Sequence, residues 1–242
     1  MLRTFSAAKG VSSIRNGLTR YSTDSTTHEG NAHWQLRELL RRTAQPVAVV
    51  TSLTRSGSSN DDSCSYHGAT LSSFASIAMD PYPLISFALR IPSRMAFSLK
   101  SAQRDLTSHM VINILSSEQA AVAVKFSRPD IHPEPFHSVP YQLTQEGLPI
   151  LEGSLGALSC KLASSGIPLH DLNFLEKRNL DGEVAQDLGN VVVSELFIGR
   201  VVRVEMVEIG PANEGRSLTL PLLYHRRGYT SCLPPGIPTE CK

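Results

Sequence analysis

The sequence predicts a mainly β fold, a β-barrel with peripheral helices, on three observations. Strand-like apolar runs outnumber helical ones and follow one another without the regular βα alternation of a doubly wound sheet. The 242 residues are 41% hydrophobic, enough to bury a sizeable core. No G-x-G-x-x-G, G-x-x-x-x-G-K-[ST] or G-x-S-x-G sequence occurs, which removes sequence support for Rossmann, P-loop and serine hydrolase readings. A net charge of +1 offers no field for gripping nucleic acid or an anionic membrane.

The elements follow in chain order. Residues 22–32 read as a polar linker, and 33–43 as a short helix with Leu36, Leu39 and Leu40 on one face and Trp34 off it. Gln45-Pro46 ends that helix, because the residue before proline is pushed out of the α region. Residues 47–52 (VAVVTS) form a buried strand, and a Gly/Ser/Asn/Asp loop over 55–65 leads to a second strand expected across 69–79. Asp80-Pro81-Tyr82-Pro83 is a turn and 84–89 a third strand. Ser93 is placed as the N-cap of a helix running to about Ser101. A strand at 110–115, a helix at 118–126 and a Pro/His-rich loop at 127–141 come next. Strands return at 155–162, at 191–207 and, briefly, at 221–224. The domain is expected over 33–230, with a Pro-rich tail at 231–242.

The first 21 residues carry Arg3, Lys9, Arg15 and Arg20 and no acid, with Leu2, Phe5, Val11, Ile14 and Leu18 roughly on one helical face. This composition predicts a mitochondrial transit peptide over 1–21 and a location in the mitochondrial matrix. Without those four basic residues the rest of the chain carries a net charge of about −3. Cys64, Cys160, Cys232 and Cys241 form no C-x-x-C pair. Neither a metal site nor a disulfide is expected.

Two places could carry chemistry. Read with the period of two of the strand at 69–79, Thr70, Ser72, Phe74 and Ser76 share a face, a row of small hydroxyls able to donate to phosphate or polyol oxygens. A solvated strand face reads the same way from composition alone. At Ser93-Arg94 a capped helix start meets a guanidinium, which favours an anion through free N–H donors and a charge-assisted fork. A capped surface turn would also look like this.

Together these segments resemble the flavin reductase-like family, whose members have an FMN-binding split-barrel fold, from about Arg41 to Tyr229. The T-x-S-S-F-x-S run ending in D-P is matched by Thr70 to Ser76 with Asp80-Pro81, and V-N-x-L by Ile112-Asn113-Ile114-Leu115. Gly-Leu-Pro at 147–149 with Glu152-Gly153, then Cys160, Ile198-Gly199-Arg200-Val201 and Pro221-Leu222-Leu223-Tyr224 match further segments. The resemblance implies that Thr70, Ser72, Ser73, Phe74 and Ser76 contact flavin, with Ser93 and Arg94 near its phosphate. It further implies FMN as cofactor, NAD(P)H as hydride donor, no obligatory general acid or base, and a homodimer with flavin sites near the subunit interface. Many members carry Gly-Asp-His before the I-G-x-V strand. Here Val192-Val193-Ser194 stands in its place, after an insertion at 167–189. Three readings follow: an NAD(P)H:flavin oxidoreductase, a flavin-binding protein without NAD(P)H turnover, and a split-barrel oxidase of another small molecule, for which a pyridoxal-type phosphate could use the same hydroxyl-and-Arg site. His225 and Tyr229 are secondary candidates for the pocket wall.

Overall fold

The computed structural model describes residues 25–55, 64–103, 105–176, 193–205 and 220–232, and divides the chain into Met1–Leu40 and Arg41–Lys242. In the first unit, helix α1 (Ser25–Arg41) begins inside the segment expected to be a linker, because no proline interrupts that polar run. Its Leu36, Leu39, Leu40 and Trp34 are all exposed.

The second unit opens with β1 (Gln45–Pro46), held extended by its proline, and β2 (Ala48–Arg55). Then come β3 (Cys64–Leu71), β4 (Ala75–Ala78), β5 (Leu84–Ile91), α2 (Arg94–Ser101) and β6 (Met110–Ile114). A 3₁₀ turn leads into α3 (Ala120–Ser127), and the hairpin β7 (Tyr141–Leu143) and β8 (Pro149–Leu151) follows. The rest is β9 (Gly156–Leu162), β10 (Ile167–Pro168), α4 (Leu172–Leu175), β11 (Val193–Glu205) and the hairpin β12 (Leu222–His225) with β13 (Gly228–Ser231). Seven strands run in the order β3-β2-β6-β9-β11-β5-β4, with β10 beside β11. Every pairing is antiparallel.

The expected single strand over 69–79 is two strands. β3 pairs with β2 at one end of the sheet, and β4 pairs with β5 at the other. The corner at 72–74 carries the chain between the two edges. There Ala88 N–H donates to Ser73 Oγ at 3.0 Å, and the Ser73 hydroxyl donates to the Ala88 carbonyl at 3.3 Å. A period of two cannot reveal such a corner, since small residues are tolerated equally in a strand and in a bend.

The curled sheet encloses a core built from Ala48, Val50, Leu71, Phe87, Ile112 and Phe197, capped by Met95, Ala96 and Leu99 of α2. Phe87 and Phe197 stack at 5.7 Å. Each buried Val, Leu, Ile, Phe or Met side chain here contributes about 1.5–3 kcal/mol. Strand β2 alternates, so Val49, with Val47 just before the strand, enters a second core with Ala123 and Phe126 of α3, Leu151 and Leu222. Between the layers, Asn113 Nδ2 donates to the Val49 carbonyl (3.1 Å) and Thr51 Oγ1 (3.2 Å), while its Oδ1 accepts from Leu151 N–H (2.8 Å). The asparagine of the V-N-x-L-like strand is therefore a structural clasp.

The loop expected at 55–65 and the tail at 231–242 lie mostly outside the described residues. Of the insertion at 167–189, β10 and α4 are described, and Leu169 N–H donates to the Ser194 carbonyl at 3.0 Å.

Candidate functional site

Packing of α2 and α3 on opposite sides of β3 leaves a cleft of about 1180 Å³. Gly68 permits α3 its close approach: a Cβ there would lie 2.6 Å from the Phe126 ring. Ser93, in an extended conformation, caps α2 by accepting from Ala96 N–H at 3.1 Å. The first-turn N–H groups of Arg94 and Met95 have no intrahelical acceptor, as at any helix start, and both residues line the cleft.

The cleft is cationic although the chain is nearly neutral. Arg90, Arg94 and Lys125 line it, against one carboxylate, that of Glu134. The Arg90 guanidinium has no hydrogen-bond or ion-pair partner among the described residues, and Arg94 Nη2 donates at 3.3 Å to the Pro133 carbonyl. Lys125 Nζ donates to Ser138 through Oγ (3.0 Å) and O (3.1 Å). His67 is held below the usual imidazole range by burial and then by Arg94, so it is a neutral donor or acceptor at neutral pH.

An aromatic wall completes the cleft. Tyr66, Phe136 and Tyr141 meet in pairs at 5.5–5.6 Å, Phe126 meets Phe136 at 5.0 Å, and Tyr224 meets Tyr229 at 5.5 Å. Burial pushes the Tyr229 hydroxyl up, and proximity to Ser127 works against it.

The residues singled out in the sequence divide. Thr70, Ser72, Ser73, Ser93 and Arg94 all line this cleft. Thr70 Oγ1 also donates to the Ala123 carbonyl of α3 at 2.7 Å, tying β3 to that helix. Phe74 and Ser76 are not among the lining residues. Phe74 packs against the barrel core, and the Ser76 hydroxyl lies 3.8 Å from Met79 Sδ. The expected four-residue face is thus corrected, because the corner at 72–74 turns Phe74 inward and moves Ser76 onto another strand. Tyr229 lines the cleft and His225 does not. Sequence reading missed His67, Arg90, Lys125 and most of the aromatic wall. They come from several distant segments and share no local period; an Arg at the end of a strand beside the Ser93 cap was the one available signal. Val193 opens β11, and Ser194 pairs across the sheet with Arg90.

A family model described as "Flavin reductase like domain" matches residues 40–232. The chain is 33% identical over 155 residues to an NADPH-flavin oxidoreductase of Streptomyces viridifaciens, covering 61% of this chain and 72% of that protein. It is 29% identical over 130 residues to an NADH-dependent flavin reductase of a Rhodococcus species, covering 54% of this chain and 65%, just under two thirds, of that protein. Among solved structures, nitrilotriacetate monooxygenase component B from Mycobacterium thermoresistibile superposes with a TM-score of 0.58 at 22% identity, covering 88% of this chain and 94% of that one, a likeness of fold. These relatives overturn the mitochondrial reading. They are bacterial, and bacteria have no mitochondria, so the matrix location is withdrawn. The reading rested on composition alone, and a basic amphipathic stretch is not peculiar to import signals. Residues 1–21 also lie outside the described part of the chain.

Proposed function

This chain belongs to the flavin reductase-like family, and on that premise we propose that it is an NAD(P)H:flavin oxidoreductase binding FMN in the cleft beside β3 and α2. The observation that carries the reading is the conjunction, in one cleft, of a cationic helix start and an aromatic wall. A flavin mononucleotide needs both: a dianionic phosphate at one end and a flat ring system at the other. The donor set fits the group. Arg94, the Ser93 cap and the open N–H groups of α2 supply the phosphate end, with Arg90 alongside. Thr70, Ser72 and Ser73 supply small polar contacts that let a flat ring approach the backbone.

The cleft also exceeds the roughly 300–1,000 Å³ of an ordinary ligand pocket. That volume accommodates a nicotinamide next to the flavin. What a bound flavin supplies is acceptance, at N5, of the hydride of a dihydronicotinamide, with one solvent proton completing its reduction. The protein's own residues bind and orient the two rings and keep water from between them. Lys125 and the neutral His67 are placed to meet polar groups of the second ligand. No side chain is required to move a proton.

We place this activity in a domain over residues 33–230 and propose that it works as a homodimer. Strand β4 is one of the two sheet edges, and Ile77 within it and Met79 and Tyr82 just after it are exposed, an apolar edge of the kind that a second copy would cover. Light scattering at micromolar concentration should give twice the chain mass; the monomer mass would remove the dimer from the proposal.

The reductase reading is tested by adding FMN to the purified chain and following NADH and NADPH oxidation at the nicotinamide absorbance band. Flavin-dependent oxidation of at least one nucleotide is expected. Tight flavin binding with no oxidation of either would contradict the reductase and leave a flavin-binding protein.

A further inference from the structure

A second cavity, of about 220 Å³, lies away from the cleft. The end of β2 (Leu53, Thr54) and the end of α2 (Phe97, Ser101) form two of its walls. The turn before β6 (Leu106, His109) and the residues before β8 (Glu146, Leu148) form the others. Phe97 is 66% exposed and so marks the mouth.

Two buried polar atoms on its lining residues lack a hydrogen-bond partner among the described residues: His109 Nε2 and Thr54 Oγ1. His109 is only 6% exposed. Its Nδ1 accepts from Leu162 N–H at 3.1 Å, so in the neutral ring the proton sits on Nε2. Burial, with Lys161 adding to it, holds the imidazole below its usual range. The Gln103 carbonyl on the same wall works the other way without closing a hydrogen bond. The result is a buried N–H donor and a buried hydroxyl on two residues that line one cavity. Glu146 does not serve them, because both its oxygens are taken by Arg203 at 2.9 and 3.3 Å.

Buried donors without partners are uncommon in native proteins, and each calls for an explanation. The lining joins four apolar side chains, Leu53, Phe97, Leu106 and Leu148, to the polar residues Thr54, Ser101, Gln103, His109 and Glu146, which suits a molecule with one apolar and one polar side better than water alone. An apolar cavity of about 150 Å³ is known to hold benzene, so this one has room for a single substituted ring. We propose that the cavity is a binding site for a small monocyclic phenol, the ring among Leu53, Phe97, Leu106 and Leu148, the oxygen accepting from His109 Nε2 and sharing its proton with Thr54 Oγ1. A phenol is selected over a carboxylate because no Lys or Arg lines the cavity among the described residues. It is selected over a plain hydrocarbon because two polar atoms would otherwise stay unpaired.

The test titrates phenol and toluene into the full chain and follows the imidazole resonances by NMR. The expected result is saturable phenol binding that moves the His109 ring signal and leaves those of His67 and His132, in the cleft, in place. Toluene should bind about tenfold more weakly, the worth of one good hydrogen bond. Thr54→Val and His109→Phe should each weaken phenol to about the toluene level. If His109→Phe does not fold, Thr54→Val and the phenol-to-toluene ratio on the native chain decide. Absence of saturation, equal binding of the two ligands, or movement of the His67 and His132 signals instead of His109 would each overturn the proposal.

Discussion

The two cavities sit on opposite ends of α2 and are built on opposite principles. At its start, charges and hydroxyls face an open cleft, where water satisfies them until a ligand displaces it. At its end, a smaller cavity carries two buried polar atoms, on His109 and Thr54, that have no partner among the described residues. The first arrangement costs little in the free protein and gains on binding. The second is costly unless something occupies it. A helix only eight residues long thus borders two different linings, one charged and open, the other with buried polar atoms.

The contrast breaks most visibly at the open end. Replacing Ser93 and Arg94 together by Ala removes the cap and a charge-assisted contact, and flavin-dependent kcat/KM should fall about 100-fold. Steady-state NAD(P)H oxidation measures this, and circular dichroism checks that the fold survives loss of the cap. Gly68→Val should come next. Its side chain would be driven into the buried Phe126 ring, costing about 1–3 kcal/mol in urea unfolding and shifting the α3 wall of the cleft.

At the closed end, the Glu146 carboxyl is held at about 2, against an ordinary 4.5, chiefly by hydrogen bonds from Arg203. A depressed folded-state value means that its stabilisation is complete above about pH 4.5 and fades as pH falls towards 2. The urea midpoint should drop across that window, and Glu146→Gln should remove much of the drop. The smallest effect sharpens the comparison furthest. Thr51 and Thr54 lie on one strand, but Thr51 Oγ1 donates to the Pro149 carbonyl and accepts from Asn113, whereas Thr54 Oγ1 has no partner among the described residues. Thr51→Val should cost about 1–2 kcal/mol and Thr54→Val less than about 0.5 kcal/mol, compared by chemical denaturation.

Legibility in the sequence followed locality. The apolar run at 47–52, the Ser93 cap and the strands at 84–89 and 110–115 are decided by neighbours in the chain, and each was placed within two or three residues. Residues 69–79 misled because the corner at Ser72 and Ser73 is fixed by Ala88, fifteen residues beyond Ser73, and by strand partners at opposite sheet edges. Of the two short hairpins, β7–β8 was not legible at all and β12–β13 only in its first strand, since strands of three or four residues carry too little period to read. The cleft was half legible. Ser93 and Arg94 lie in one capped segment, whereas Tyr66, Phe136, Tyr141 and Tyr224 converge only through long-range packing. His109 gave no signal at all, because an unpaired buried nitrogen is a property of its surroundings.

The most direct test of the central claim is a fluorescence titration of FMN and of riboflavin, which lacks the phosphate, on the native chain and on Arg94→Ala. If the start of α2 holds the phosphate, the native chain should prefer FMN by about tenfold or more, and Arg94→Ala should lose most of that preference while still binding riboflavin as before. Equal affinity for the two flavins on the native chain, or an FMN preference untouched by Arg94→Ala, would contradict the account.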